Sequence, residues 1–175
     1  ELTHIVFYLS EYGQRDPKLS ANAVQSLMFS GTLAFIDENA DLLAEVCIAL
    51  GYAQQPVPDI WQLWLTSHAA GFSVQSSPQT GQDDYHEYLM CNWFLLSQGQ
   101  SGFALRLDEG RLNFHRPLGR LGVLRVLSEY LYERQGDKGL NWTGLRADIA
   151  ETLDTNAFAH IKDAEKALPE FEEFF

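Results

Sequence analysis

Lysine and arginine are scarce in this chain: 12 against 24 aspartates and glutamates in 175 residues, a formal charge of −12 with the five histidines neutral. Affinity for phosphate backbones comes from a surplus of cationic side chains, so this balance argues against direct nucleic-acid binding. Cysteine is scarcer still. Cys47 and Cys91 make at most one bridge, which excludes a disulfide framework, and each sits inside an apolar run, the usual setting of a buried free thiol. The longest apolar stretch near the start, residues 5–9, is too short for a signal-peptide core and far below the roughly 20 residues of a spanning helix. The expected setting is therefore cytoplasmic, with no membrane contact. Also missing are a nucleophile elbow, a phosphate-cradling glycine loop, a His-Glu-x-x-His helix and a glycine-punctuated calcium loop. No cofactor is expected from the residues.

What is present is a globular composition, 46% hydrophobic and 13% aromatic, which suits one domain over 1–175. It divides into a helical part (1–72), a polar loop (73–87) and a mixed part (88–175). Asp16-Pro17 reads as the start of a helix over 16–36, with Val24, Leu27, Met28 and Phe35 at helical spacing. A second helix is expected over 40–50, closed by Gly51 in a left-handed conformation. A third follows Pro58-Asp59 over 60–70, with Trp61 and Trp64 making it apolar nearly all round. The four tryptophans read as core.

Residues 88–96 are apolar on both faces, and their aromatics favour a buried strand. Phe103, Leu105 and Leu107 alternate with Ala104 and Arg106, and the alternation resumes at Leu112 and Phe114 after Asp108-Glu109-Gly110. That pattern predicts a hairpin pairing Leu107 with Leu112 and Arg106 with Asn113. Helices are then expected over 119–134, closed by Gly136; from a Thr143 cap to about 153; and from an Asp154 or Thr155 cap to Pro169. The fold class is α+β: mainly helical, with a short antiparallel meander or hairpin at about 88–115 between two helical segments.

The charge is unevenly placed. No lysine or arginine occurs between Lys18 and Arg106, a span of 87 residues holding Asp37, Glu38, Asp41, Glu45, Asp59, Asp83, Asp84 and Glu87. Those eight carboxylates are the candidate surface for a basic protein partner, whose encounter a negative field would speed. Asp83-Asp84-Tyr85-His86-Glu87 has metal-ligand chemistry without a metal-ligand spacing, and no metal is assigned. A second constellation is His115, Arg116 and Arg120, with Arg106 and Asn113 nearby; at a helix start it could hold an anion beside a general acid or base. Histidines 4, 68 and 160 read as structural.

Leu50-Gly51-Tyr52, Pro58-Asp59-Ile60-Trp61 and Ala70-Gly71-Phe72 resemble, over about residues 42–72, part of the Leu-Gly, Leu-Pro, Phe-Leu, Asn-Gly-Gly run of the SUKH superfamily, many of whose members look like bacterial toxin-immunity proteins. The chain lacks the Asn-Gly-Gly, and that family is not adopted. The residues themselves favour an acidic module that neutralises or shields a basic partner, most concretely a toxin-immunity-type inhibitor. Two alternatives are a small hydrolase or transferase built on His115, Arg116 and Arg120, and an acidic secretion-type chaperone, which would be a homodimer exposing an apolar groove.

Overall fold

The structure, a computed structural model, describes residues 1–76, 83–117, 121–134 and 141–173. Four helices come first: α1 (Leu2–Leu9), α2 (Ala21–Ile36), α3 (Ala40–Tyr52) and α4 (Asp59–Ala70). Strand β1 (Ser73–Ser76), helix α5 (Tyr85–Ser97) and strand β2 (Leu112–His115) follow, then α6 (Val123–Glu133), α7 (Trp142–Thr152), α8 (Thr155–Ala167) and a 3-10 turn at Phe171–Glu173. The class is the expected one, mainly helical α+β with a two-stranded antiparallel sheet. Among the described residues no helix is long and apolar enough to cross a membrane.

Helix α3 is the hub, packing against α1, α2, α4 and α5. It can be surrounded because its side chains are apolar and mostly small: Leu43, Ala44, Val46, Cys47, Ile48, Ala49 and Leu50 are all fully buried. One continuous core runs from Val6 on α1 to Phe171, taking in Trp61 and Trp142, with Trp64 and Trp93 packed at its margin. Both thiols are free and buried, and burial pushes both well above the usual thiol range.

Helix starts follow local hydrogen-bond chemistry more closely than the sequence pattern suggests. Helix α2 begins at Ala21, where the Ser20 hydroxyl accepts from Ala23 N–H. Asp16 is used earlier, accepting from Lys18 N–H at 2.8 Å in a tight turn that sets Lys18 at φ 51°. Helix α3 runs through Gly51 to Tyr52, and the left-handed residue after it is Gln54. Asn141 rather than Thr143 caps α7, while of the two expected candidates, Asp154 and Thr155, it is Asp154 that caps α8, accepting from Asn156 and Ala157. Gly119 and Gly136 lie outside the described residues; Gly122, at φ 70°, is the N-cap of α6.

The β expectations need the larger correction. Residues 88–96 belong to helix α5, not a strand. Strand β2 pairs with β1, drawn from the segment read as polar loop, in the register Ser73↔His115, Val74↔Phe114, Gln75↔Asn113 and Ser76↔Leu112. Asn113 therefore faces Gln75 instead of Arg106, and Leu112 faces Ser76 instead of Leu107. Phe103 cannot extend a hairpin because it sits at φ 53°, its N–H donating to the Asn92 side chain of α5 at 2.6 Å. Leu105 and Leu107 stay exposed, so their alternation buries nothing. Val74 and Phe114 form the covered face of the sheet: the Phe114 ring lies 4.8 Å from Tyr88 of α5.

Candidate functional site

Three elements meet at a buried polar cluster. Helix α4 carries His68 on its last turn and α5 carries Glu87 on its first, and His68 Nε2–H donates to Glu87 Oε1 at 2.7 Å. Their side chains are 7% and 9% exposed. Arg116, just past β2, brings its guanidinium to 3.7 Å from the other Glu87 oxygen. Its backbone N–H donates to Asp84 at 3.0 Å, and Asp84 N–H donates to Phe114 O at 2.9 Å. The start of α5 and the end of β2 are thus tied by charge and by backbone.

This geometry bears on the anion-pocket constellation. Arg116 is occupied by Glu87, which cancels the charge an anion would need. His115 lies in the ladder opposite Ser73. Arg120 lies outside the described residues.

The eight acidic candidates separate into distinct places. Asp41, Glu45 and Glu87 converge where α3 crosses α5, close enough that Glu45 and Glu87 act on Asp41. Burial raises the Asp41 carboxyl above its ordinary range, His86 opposes that through its hydrogen bond and charge, and the two neighbouring carboxylates raise it further. His86 Nδ1 stands 2.9 Å from both Asp41 oxygens. Asp83 and Asp84 border this cluster at the start of α5, where Asp83 accepts from Tyr85 N–H. Glu38, in a left-handed turn after α2, accepts from Leu121 N–H. Asp37 is the C-cap of α2. Asp59 lines a separate cleft that also contains Lys166.

Above the converging carboxylates is a small cleft of about 180 Å³, lined by His4, Phe7, Tyr8, Tyr12, Glu45, His86, Met90 and Trp93. Glu45 forms its polar floor: one oxygen accepts the Thr3 hydroxyl at 2.6 Å and the other is 3.3 Å from His4 Nε2. Most of this lining was not singled out from the sequence. The signal was there as helical spacing, since His86, Met90 and Trp93 recur at i, i+4, i+7 on α5. His4 with Tyr8 on α1, and Asp41 with Glu45 on α3, each stand four apart. Reading 88–96 as a strand hid the first of these.

Among the described residues no group of three or more His, Cys, Asp or Glu side chains could hold a metal ion. The chain is thus a mainly helical α+β protein with an aromatic-lined cleft, holding Glu45 and two histidines, at the junction of α1, α3 and α5. Over its whole length, residues 1–175, it matches the family described as Domain of unknown function (DUF6902), and it belongs to that family. No curated protein and no solved structure matches it.

Proposed function

We propose that this chain is a cytoplasmic protein-binding module that neutralises or shields a basic partner, most concretely as a toxin-immunity-type inhibitor. The observation that carries the reading is the pair of carboxylates Asp41 and Glu45, one turn apart on α3, whose side-chain partners are the imidazoles of His86 and His4 and the Thr3 hydroxyl. The cleft above them has no lysine or arginine in its lining. Histidines 4 and 86, which carry full charge only when protonated, are its nearest counter-groups, so negative potential is left for a cationic partner. The two free, buried thiols fit a reducing compartment.

Calorimetric titration with an arginine-rich peptide at two ionic strengths tests this. Binding should weaken steeply between about 50 and 200 mM salt, because exposed charge pairs are screened over roughly 10 Å. It should weaken again in the Asp41→Asn, Asp83→Asn double variant. Absent or salt-insensitive binding would overturn the reading.

A second reading, the chaperone-type homodimer, has one observation in its favour: Ile5, Tyr8 and Leu9 are exposed apolar residues on α1. A monomer by light scattering would remove it. The hydrolase or transferase reading has less support, since Arg116 is held by Glu87 and Asp84.

A further inference from the structure

We propose that the cleft between α1, α3 and α5 is a receptor for a single arginine side chain of the basic partner, with aromatic walls and Glu45 as its anionic floor. The inference rests on the binding reading above and adds the chemistry that the partner must present.

Size argues first. Pockets for drug-sized ligands enclose about 300–1,000 Å³, and this cleft encloses about 180 Å³, room for one long side chain. The walls select a cation. Tyr12 and Trp93 are stacked with centroids 6.2 Å apart and planes 26° apart, and Tyr8 meets Tyr12 edge-on at 5.9 Å. Aromatic faces carry negative potential that attracts ammonium and guanidinium groups. The floor supplies a full charge. Glu45 is only 12% exposed, its two hydrogen bonds come from a neutral hydroxyl and an imidazole, and a carboxylate has about four acceptor positions. Guanidinium suits such a site better than ammonium, because its plane stacks on rings while its fork addresses a carboxylate.

One wall is set before any ligand arrives. After α1 the backbone enters the left-handed region at Glu11 (φ 51°) and Tyr12 (φ 58°), followed by Gly13 at φ 87°. Tyr12 N–H donates to Phe7 O at 2.8 Å. Gly13 lies so close to the Tyr52 ring that an added Cβ would stand 2.6 Å from it. Two consecutive non-glycine residues in this region are costly, and such conformations gather at sites where a side chain must be held in place. Here the side chain held is Tyr12. Ile5 and Leu9 are exposed on the same helix as Tyr8, an apolar surface that favours an arginine presented by a protein over the free amino acid.

The test is an NMR titration of the intact protein with Gly-Gly-Arg-Gly-Gly, and with the same peptide carrying lysine or uncharged citrulline at the centre. The arginine peptide should move the Trp93 indole N–H and the Tyr12 and Glu45 amides saturably, the lysine peptide more weakly, and the citrulline peptide not at all. Tyr12→Asn and Glu45→Gln should each weaken arginine binding roughly tenfold. Asparagine tolerates the left-handed backbone, so Tyr12→Asn keeps the fold and decides the matter if Glu45→Gln does not fold. Unchanged affinity in Tyr12→Asn, equal binding of the citrulline peptide, or shifts that map away from Trp93 would overturn the receptor. If an arginine-rich peptide still binds wild type and Tyr12→Asn alike in a salt-dependent way, the binding-module reading stands and only the receptor falls. If no cationic peptide binds, both fall.

Discussion

His68 and Glu87 form a hydrogen bond of 2.7 Å inside the protein, joining the end of α4 to the start of α5. His68 also stacks on Trp64, centroids 4.9 Å apart, so the imidazole is held by a ring on one side and a carboxylate on the other. Removing one member of a buried pair leaves its partner desolvated and unmatched, which costs about 1–3 kcal/mol for a hydrogen-bonded group and more if it is charged. Glu87→Ala should therefore lower stability by about 2–4 kcal/mol in chemical denaturation. Glu87→Gln retains an acceptor for the imidazole and should cost less. Equal losses in the two variants would mean that the pair contributes through packing alone.

Asp41 predicts two opposite pH trends. Burial and the carboxylates of Glu45 and Glu87 raise its pKa above the ordinary range, against the pull of His86. The folded state therefore keeps a proton on Asp41 to higher pH than the unfolded chain does. That contribution to stability is present at low pH and is lost as pH rises from the unfolded aspartate value, about 3.9, through the raised folded value. Over the same window Asp41 gains charge, so affinity for an arginine peptide should rise. Denaturation curves and titrations for wild type and Asp41→Asn across this range should differ in slope with those signs. Parallel curves would show that Asp41 does not titrate differently on folding.

Asn92 fastens the segment between α5 and β2. Its Nδ2 donates to Tyr88 O at 2.7 Å, its Oδ1 accepts from Phe103 N–H at 2.6 Å, and the side chain is buried. Asn92→Leu fills similar space but leaves the Phe103 N–H without its acceptor, so about 1–3 kcal/mol should be lost. Amide exchange at Phe103 should accelerate as well. Unchanged exchange there would mean the turn holds without Asn92.

Helix content was legible in the sequence where one face alone is apolar or a capping residue narrows the start to a position or two, as at Asp154-Thr155. It was not legible for α5: the face packed on α3, α4 and β2 is apolar, but Tyr85, Leu89 and Leu96 on the outer face are apolar and exposed as well, and that erases the helical periodicity. The strand pair was hidden for the opposite reason. Ser73-Val74-Gln75-Ser76 offers one apolar residue, and a two-stranded sheet needs only that one to face Phe114. Of the acidic tract, the sequence showed the absence of cations but not the destinations of the carboxylates. Glu87 and Asp84 turn inward to Arg116, Glu38 bonds Leu121 N–H, and of the eight Glu45 lines the cleft with aromatic walls while Asp41 bonds its His86.

Two glycines in helices should respond to alanine with opposite signs. Replacing glycine by alanine inside an exposed helix ordinarily stabilises by about 0.8–1.0 kcal/mol through backbone entropy. Gly51 lies on α3, and a Cβ there would meet only Gln98 Nε2 at 3.9 Å, so Gly51→Ala should stabilise by roughly that amount. Gly31 lies on α2 against the fully buried Trp61, and its Cβ would stand 2.6 Å from the indole and 3.0 Å from Val46. Overpacking of this kind costs about 1–3 kcal/mol, and with a fully buried indole that has no room to shift the upper part of that range outweighs the entropic gain, so Gly31→Ala should destabilise by up to about 2 kcal/mol. Thermal melts of the two variants beside wild type check both. A destabilised Gly51→Ala would mean that α3 ends at Gly51 in a left-handed conformation, as a glycine placed just after the last apolar residue of the stripe implies.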